Sequence, residues 1–240
     1  MVRIPMRQGL LQRLLDVCFP PRCVGCGQRG EWVCTRCTDQ FEPLPDHRCE
    51  RCSDPILLAR RGRLCANCAH QPPAFDRLHS GYLFAGPLRT AIHHLKFRRA
   101  RHLALPLGDA LCQVVDLDPA DFDIIVPVPL HPRRHAARGY NQAELIARPV
   151  ATHLRRPLAP RALARIVDTP PQTERSVAER RVNVAGAFQA SPDVVRLQRV
   201  LLVDDVCTTG ATLDAAAQAV RNAGATRVTG LTLARASTTR

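Results

Sequence analysis

Short runs of apolar residues alternate with segments of helical periodicity over the second part of this chain. The runs at residues 80–84, 123–129, 200–203 and 227–233 predict strands, and uninterrupted apolar runs are typical of strands buried on both faces of a sheet. Apolar spacing after Gly86, after Asn141 and from Leu213 to Val220 predicts helices, the first with a proline in its first turn. The pattern indicates an α/β fold with a mainly parallel sheet flanked by helices.

The N-terminal part has a different pattern. Residues 8–17 predict a short amphipathic helix that ends at Pro20 and Pro21. Apolar runs stay far below the ~18 residues of a membrane span, and the basic start lacks the apolar core of a secretory signal. We therefore expect no membrane insertion and a cytoplasmic protein.

Cysteines dominate the chemistry of residues 1–72. Eight of the 11 cysteines form four Cys-x2-Cys knuckles: Cys23 and Cys26, Cys34 and Cys37, Cys49 and Cys52, and Cys65 and Cys68. Two knuckles complete a tetrahedral Zn²⁺ site, so a double zinc ribbon with two structural sites is predicted in preference to disulfides or an iron–sulfur cluster. The spacing leaves open whether knuckles pair sequentially or in a cross-braced order.

Two proline residues, Pro72 and Pro73, mark a linker over residues 69–76. This composition divides the chain into residues 1–72, the N-terminal helix and zinc ribbons, and residues 73–240, the α/β domain. The formal net charge is +13. Eight thiolates and two Zn²⁺ add about −4 to the first part, which places the basic surplus in the second part, where it suits an anionic ligand or a polynucleotide.

The strand at residues 200–203 leads into an acid pair, Asp204 and Asp205, and then into a segment rich in hydroxyl groups. Residues 208–212, here called the phosphate loop, combine three threonines with Gly210 immediately before a predicted helix. Hydroxyls and free helix-start N–H groups bind a phosphate monoester, while the carboxylates accept hydrogen bonds from sugar hydroxyls or help to position Mg²⁺. The stretch predicts a ribose 5-phosphate site and lacks the spacing of a P-loop or a dinucleotide-binding motif.

A second basic segment follows the strand at residues 123–129. Arg133, Arg134 and Arg138 lie in what reads as a loop at the carboxyl end of that strand, where permanently charged bidentate donors suit a pyrophosphate. Lys96, the only lysine, ends the helix after Gly86 and could also reach a phosphate.

These motifs resemble those of type I phosphoribosyltransferases and, more narrowly, of the ComF/GntX-like family. The resemblance rests on Val-Leu-Leu-Val-Asp-Asp-Val-Cys-Thr-Thr-Gly-Ala-Thr-Leu at 200–213, on Val-Pro-Val-Pro-Leu-His with Arg-Gly-Tyr-Asn-Gln at 126–142, and on the knuckles. It implies a type I phosphoribosyltransferase fold that binds phosphoribosyl pyrophosphate (PRPP) with Mg²⁺. The implied PRPP-binding residues are Val203, Asp204, Asp205, Cys207, Thr208, Thr209, Gly210, Ala211, Thr212, Arg133, Arg134 and Lys96. The implied catalytic residues are Asp204, Asp205, Arg133 and Arg138.

The resemblance also implies a lid at residues 172–181 and a link to DNA uptake in competent bacteria. Glu174 and Arg175 depart from the small residues expected in the lid, and Pro149 departs from the family pattern and should kink its helix. Two functions follow: transfer of a phosphoribosyl group to a nucleophile that the sequence does not identify, or a non-catalytic protein that senses PRPP or binds single-stranded DNA or competence proteins. Whether the chain turns substrate over, and in what oligomeric state, is not specified by the motifs.

Overall fold

The computed structural model describes residues 20–56, 63–168 and 186–236. The predicted helix at residues 8–17, Cys18 and the predicted lid at residues 172–181 lie outside the described residues.

The centre of the fold is a four-stranded sheet in which every pair of neighbouring strands is parallel. Its strands are β1 (Arg77–Leu83), β2 (Ile124–Pro127), β5 (Arg199–Cys207) and β6 (Arg227–Arg235), in the order β1-β6-β5-β2. A separate antiparallel pair consists of β3 (Leu163–Arg165) and β4 (Phe188–Ala190). The parallel sheet and the strands expected from the apolar runs are confirmed.

Helices connect the strands and cover the sheet. The described α-helices are α1 (Thr35–Thr38), α2 (Ala66–His70), α3 (Gly86–Phe97), α4 (Ala104–Val114), α5 (Pro132–Arg138), α6 (Gln142–Leu154), α7 (Pro192–Val195) and α8 (Ala211–Asn222). Helix α3 begins with Pro87 in its first turn, as predicted, because a proline there lacks only an N–H that would have no helical partner.

Alternate residues of the central strand β5 point to opposite faces of the sheet and build two hydrophobic cores. Leu201 and Val203 pack in one core with the apolar faces of α3, α4 and α6. Val200 and Leu202 pack in the other with α8 and the β3–β4 pair. Burial on both faces explains why β5 reads as an uninterrupted apolar run.

The expectation of a loop after β2 is wrong. The basic segment is a helix, α5: His131 caps it, Pro132 starts it, and Gly139 ends it with φ of 84°. Asn141 caps α6, the helix predicted to follow it, by accepting a hydrogen bond from the Ala143 N–H at 3.1 Å. Helix α6 contains Pro149 and continues for five further residues to Leu154, and the kink expected at Pro149 remains a prediction.

The zinc-ribbon region packs directly against β1. The N–H of Leu83 donates to the carbonyl of Glu42 at 2.8 Å, and the N–H of Leu78 donates to the carbonyl of Arg51 at 2.8 Å. Phe75, within the predicted linker, is 1% exposed and belongs to the α8 core. The boundary between residues 72 and 73 remains a prediction, and main-chain hydrogen bonds of the described residues cross it. Among the described helices, none has the length and apolar character needed to cross a membrane.

Candidate functional site

The acid pair lies at the carboxyl end of β5. Asp204 and Asp205 are 9% and 2% exposed. Their carboxylates accept hydrogen bonds from the next main-chain N–H groups, Asp205 and Val206, each at 2.8 Å. The ammonium of Lys96, from the end of α3, lies 3.1 Å from Asp205 Oδ2. The sole lysine of the chain therefore neutralises one member of the pair, which places α3 beside the same strand end.

Burial changes the ionisation of Asp204. Removal from water, followed by repulsion from the Asp205 carboxylate, raises the pKa of Asp204 to about 7, and Lys96 opposes that rise. A carboxylate with this pKa exchanges its proton near neutral pH. It is a strong hydrogen-bond acceptor once a ligand's hydroxyl groups replace the lost water.

The phosphate loop joins β5 to α8. Gly210 has φ of 83°, a left-handed conformation that favours glycine, and as the N-cap residue it offers no side-chain oxygen to the helix start. The hydroxyl of Thr209 accepts a long hydrogen bond from the Ala211 N–H at 3.4 Å, while Thr208 is exposed. A twelve-residue helix with this start presents N–H donors and a positive dipole end to an anion.

Two of the three arginine residues of α5, Arg133 and Arg134, face a single acid, Asp168. Asp168 Oδ1 lies 3.6 Å from Arg134 Nε, and its Oδ2 lies 3.9 Å from Arg133 NH1 and 3.6 Å from His131 Nδ1. Arg138 donates to the Gln142 side chain, and burial lowers its pKa while the charges of Asp205 and Asp204 oppose that effect. Arg138 is thus close to the acid pair, and Arg133 and Arg134 surround Asp168.

Sequence reasoning missed two residues at this site, Arg165 and Asp168. Arg165 lies on β3 with its guanidinium 5.4 Å above the ring of Phe188, and burial lowers its pKa, with Arg134 adding to the effect and Asp204 opposing it. Both residues come from a short, mainly apolar segment without a recognisable motif. Their only sequence signal is a pair of opposite charges, separated by two apolar residues, shortly before a Pro-Pro pair.

Two members of the predicted PRPP-binding set face away from the open side of the site. The side chain of Val203 is fully buried in the α3–α4–α6 core, although its carbonyl accepts from the Val128 N–H at 2.9 Å. Cys207 is 2% exposed, burial raises the pKa of its thiol, and the thiol accepts a hydrogen bond from Arg235. Their buried side chains therefore pack in the interior below the phosphate loop and do not face a ligand.

The eight knuckle cysteines form two clusters in sequential order, which decides between the two pairings that the spacing allowed. The first comprises Cys23, Cys26, Cys34 and Cys37, and the second comprises Cys49, Cys52, Cys65 and Cys68. Within each cluster the sulfur atoms all lie within 4.8 Å of one another. The sulfur of Cys26 is 3.5 Å from that of Cys34, and Cys52 is 3.7 Å from Cys65, close to the ~3.8 Å edge of a tetrahedron with ~2.3 Å zinc–sulfur bonds. Both clusters fit a Zn²⁺ ion with four thiolate ligands.

Comparison with known proteins agrees with this architecture. Residues 14–69 match the family model of the double zinc ribbon domain, and residues 141–240 match that of the phosphoribosyl transferase domain. The molecule is therefore a double zinc ribbon combined with a phosphoribosyltransferase domain.

Relatives identify the family within that class. The chain is 34% identical to the DNA utilization protein YhgH of Salmonella typhimurium over 82% of this chain and 86% of that protein. It is 32% identical to Competence protein F of Haemophilus influenzae over 91% of this chain and 98% of that protein. Competence protein ComFC of Bacillus subtilis is 25% identical over 85% of each chain. The chain belongs to the ComF/GntX-like family.

Among solved structures, the glutamine PRPP amidotransferase of B. subtilis, complexed with ADP and GMP, aligns with a TM-score of 0.42. That alignment has 21% identity and covers 60% of this chain and 30% of the other.

Proposed function

We propose that this protein binds PRPP with Mg²⁺ and transfers its phosphoribosyl group to a nucleophile. The observation that carries the proposal is the buried acid pair at the end of β5, which leads into a helix start whose N-cap residue has no side-chain oxygen. The charges of both acids also act on Arg138, and Arg133 and Arg134 lie on the same helix as Arg138. One small ligand that carries a phosphate, a ribose and a pyrophosphate matches the chemistry of all three parts.

Each part of the site has a role in the proposed reaction. The phosphate loop holds the 5-phosphate, and Asp204 and Asp205 accept hydrogen bonds from the ribose hydroxyls. Arg133, Arg134 and Arg138 bind the pyrophosphate. Mg²⁺, when bound with PRPP, supplies further neutralisation of the departing pyrophosphate.

The proposed reaction is a displacement at the anomeric carbon of the ribose. The bond from that carbon to the pyrophosphate oxygen breaks with its electron pair leaving on pyrophosphate, and the nucleophile forms the new bond. Positive charge that develops on the ribose in between lies near the Asp204 carboxylate. Fixed charges around a water-poor site stabilise such a transition state.

The test is titration calorimetry of PRPP with Mg²⁺, followed by an assay of pyrophosphate release against a panel of bases and amines. Asp204→Asn combined with Asp205→Asn should weaken PRPP binding by about 10²–10³-fold, because two charged acceptors become neutral amides, each with an NH2 group in place of one acceptor oxygen. Asp39→Asn combined with Asp46→Asn, which changes two exposed acids of the ribbon region and the net charge by the same amount, is the matched control. Undiminished binding in the double variant would remove the proposed roles of the acids.

A second candidate function, binding of single-stranded nucleic acid, is favoured by a row of side chains on α3. Arg89, His93 and Phe97 recur every four residues and therefore share a helix face. The His93 ring is 6.0 Å from the Phe84 ring and 5.6 Å from the Phe97 ring, and Phe97 is 66% exposed. Arg89 lies 5.9 Å over Phe84. Exposed rings interleaved with cations are typical of surfaces on which unpaired bases stack.

This row ends at the phosphoribosyl site, since Arg138 lies 5.7 Å over the ring of Phe97. We propose that a single strand lies along α3, consistent with relatives named for DNA utilization and competence. Fluorescence anisotropy of the full chain with an oligothymidine at several salt concentrations tests it. Phe97→Ala should weaken binding by about 5- to 150-fold, since one stacked base contributes roughly 1–3 kcal/mol. Phe41→Leu, a buried ring outside the row, is the control, and equal losses in the two variants would contradict the platform.

A further inference from the structure

Arg235 is a buried charge between the second zinc cluster and the phosphate loop. It is the last residue of β6 and is 3% exposed. One guanidinium nitrogen, NH1, donates to the sulfur of Cys207 at 2.5 Å. The other, NH2, lies 3.9 Å from the sulfur of Cys52 and 3.2 Å from Asp54 Oδ1. A single side chain therefore contacts a zinc ligand and the residue that precedes the phosphate loop.

A buried guanidinium is stable only where anionic partners replace its lost hydration. The second pair of knuckles supplies those partners. Ser53 has a positive φ of 57°, and the turn is closed by hydrogen bonds between Ser53 N–H and the Cys49 carbonyl at 2.9 Å and between Cys49 N–H and the Asp54 carbonyl at 2.8 Å. This turn orients both the Cys52 sulfur and the Asp54 carboxylate toward Arg235. Zinc-bound thiolates carry negative charge, so a loaded second site adds to the attraction.

On the opposite side, Arg235 contacts the base of the phosphate loop. Cys207 is the last residue of β5 and is followed directly by Thr208. Its carbonyl accepts a hydrogen bond from the Ala236 N–H at 2.9 Å, so the two strand ends are joined by main chain as well as by side chain. A cavity of about 20 Å³ separates the zinc ligands from the loop. Cys52, Cys65 and Cys68 line one side of it, and Thr209 and Gly210 line the other.

A second set of contacts ties the same zinc cluster to α8. The chain leaving Cys68 reaches Ala74, whose N–H donates to Asp214 Oδ1 at 2.6 Å in the first turn of α8. Further along that helix Arg221 donates to the Ala74 carbonyl and lies 2.6 Å from Asp76 Oδ1. The helix whose start would bind the 5-phosphate therefore contacts, at its first and last turns, the segment that follows the second zinc cluster.

We propose that Arg235 is a positioning residue through which zinc at the second site holds residues 208–212 in the conformation that binds phosphate. Zinc occupancy of the second site, and not of the first, then sets the affinity for PRPP. The inference rests on the proposed function for the identity of its ligand, PRPP. The coupling between the second zinc site and the phosphate loop can be measured without that ligand.

The first experiment follows the loop without any ligand. Hydrogen exchange of the zinc-loaded full chain is compared between wild type, Arg235→Met and Cys65→Ser, with zinc content measured in each. Both variants should increase exchange at residues 208–212 while exchange in β5 stays slow. Cys26→Ser, which disrupts the first site, is the matched control and should leave the loop unchanged. Unchanged loop exchange in Arg235→Met with both ions retained would overturn the inference.

The second experiment measures the absorption spectrum and the release rate of a metal ion bound at the second site. Cobalt(II) in place of zinc gives thiolate-to-metal absorption bands, and Cys26→Ser confines the ion to the second site. Arg235→Met should shift these bands and speed release of the ion to a chelator by about 10–100-fold, the range found when a contact to a metal ligand is lost. Arg235→Lys, which keeps the charge, should restore most of the slow release. A passive core residue would leave both spectrum and release rate unaltered.

Addition of PRPP with Mg²⁺ separates the two proposals. If calorimetry detects binding, Arg235→Met should weaken it by about 10–100-fold with both zinc ions present. If wild type binds no PRPP, the proposed function fails, and the exchange and cobalt measurements still decide the coupling. If PRPP binds equally to wild type and Arg235→Met, the coupling to affinity is refuted and the proposed function stands.

Discussion

The two zinc clusters each consist of four cysteines in two Cys-x2-Cys knuckles, but they lie in different surroundings. In the first, Cys26 is exposed and the cluster shares a small apolar group with Val33 at the surface. In the second, Cys49, Cys52 and Cys68 are buried within the same hydrophobic core as β5 and α8. Identical coordination therefore serves two purposes: the first site folds its own ribbon, and the second is part of the domain core.

The first site still touches the domain through a few contacts. Trp32 stacks against His102 with ring centroids 3.7 Å apart. At Gly25 an added Cβ would lie 2.8 Å from the Cys37 sulfur and 3.2 Å from Pro87 at the start of α3, so glycine permits the close approach there. Neither of these contacts involves a residue of the phosphate loop.

The largest expected difference is in stability. Cys52→Ser should lower the free energy of unfolding of the whole protein by about 3–5 kcal/mol, because it leaves the buried Arg235 short of an anionic partner. Cys26→Ser should unfold only its ribbon and leave the main transition nearly unchanged. Thermal unfolding followed by circular dichroism, with zinc content measured alongside, checks this. An equal decrease in the free energy of unfolding in the two variants would show that the two zinc sites do not differ in this way.

A pH titration should sharpen the comparison, because Asp204 lies near the loop that the second site supports. With a pKa near 7 against an ordinary 3.8, Asp204 binds a proton in the folded state that the unfolded chain has released. Stability should therefore fall as pH rises from about 4 to about 7 and then level off. PRPP affinity should change oppositely, falling by about tenfold per unit below pH 7, since the ligand requires the carboxylate.

Three variants isolate the contribution of Asp204 to that pH profile. Asp204→Asn should remove the change in PRPP affinity below pH 7, except for any pH dependence that comes from the phosphate groups of PRPP itself. Cys26→Ser should keep the wild-type dependence of affinity on pH, whereas Arg235→Met should shift it. If PRPP affinity in Asp204→Asn depends on pH as it does in the wild type, another group is responsible for the change below pH 7.

A smaller effect is expected at the contact between the first ribbon and the domain. Trp32→Ala should destabilise the ribbon by roughly 0.5–1.5 kcal/mol through loss of the stacking on His102. Exchange measurements should show faster opening of residues 23–37 with no change at residues 208–212. A change in the loop would mean that the first site is also coupled to the ligand site.

The smallest effect concerns Asp168, which occupies the arginine cluster of α5. Its side chain is about one-third exposed, so its pairing with Arg133 and Arg134 contributes no more than roughly 0.2–1 kcal/mol. Asp168→Asn should strengthen pyrophosphate binding by up to about fivefold, because the arginine residues lose a competing anion. Calorimetry with inorganic pyrophosphate measures it, and weaker binding in the variant would show that Asp168 helps to orient the arginine residues.

The sequence predicted the parts of this molecule in which local pattern and local chemistry coincide. The uninterrupted run of β5, the proline at the start of α3 and the Asn141 cap each depend on a few neighbouring residues. The sequence did not determine the pairing of the knuckles, because their spacing allows two arrangements and only the positions of the sulfur atoms in the fold distinguish them. The α5 helix was missed because seven residues with three arginines and two prolines nearby resemble a solvated loop.

The sequence could not predict the contacts of Arg235. Asp54 and Arg235 are separated by most of the chain, and neither belongs to a motif with a chemical signature. An arginine at the end of an apolar strand is a weak indication of a buried ion pair, and nothing local indicates which acid completes it. The same reasoning applies to Asp168, whose partners come from a different element.

The hydrogen bonds that β1 donates to the carbonyls of Glu42 and Arg51 have a further consequence. β1 is one of the two terminal strands of the parallel sheet, and an uncovered terminal strand offers free main-chain donors and acceptors to any other extended chain. Because the zinc-ribbon region occupies that position, it blocks edge-to-edge association through β1. A fragment consisting of residues 73–240 alone would expose the edge of β1. We therefore expect this fragment to self-associate once residues 1–72 are removed.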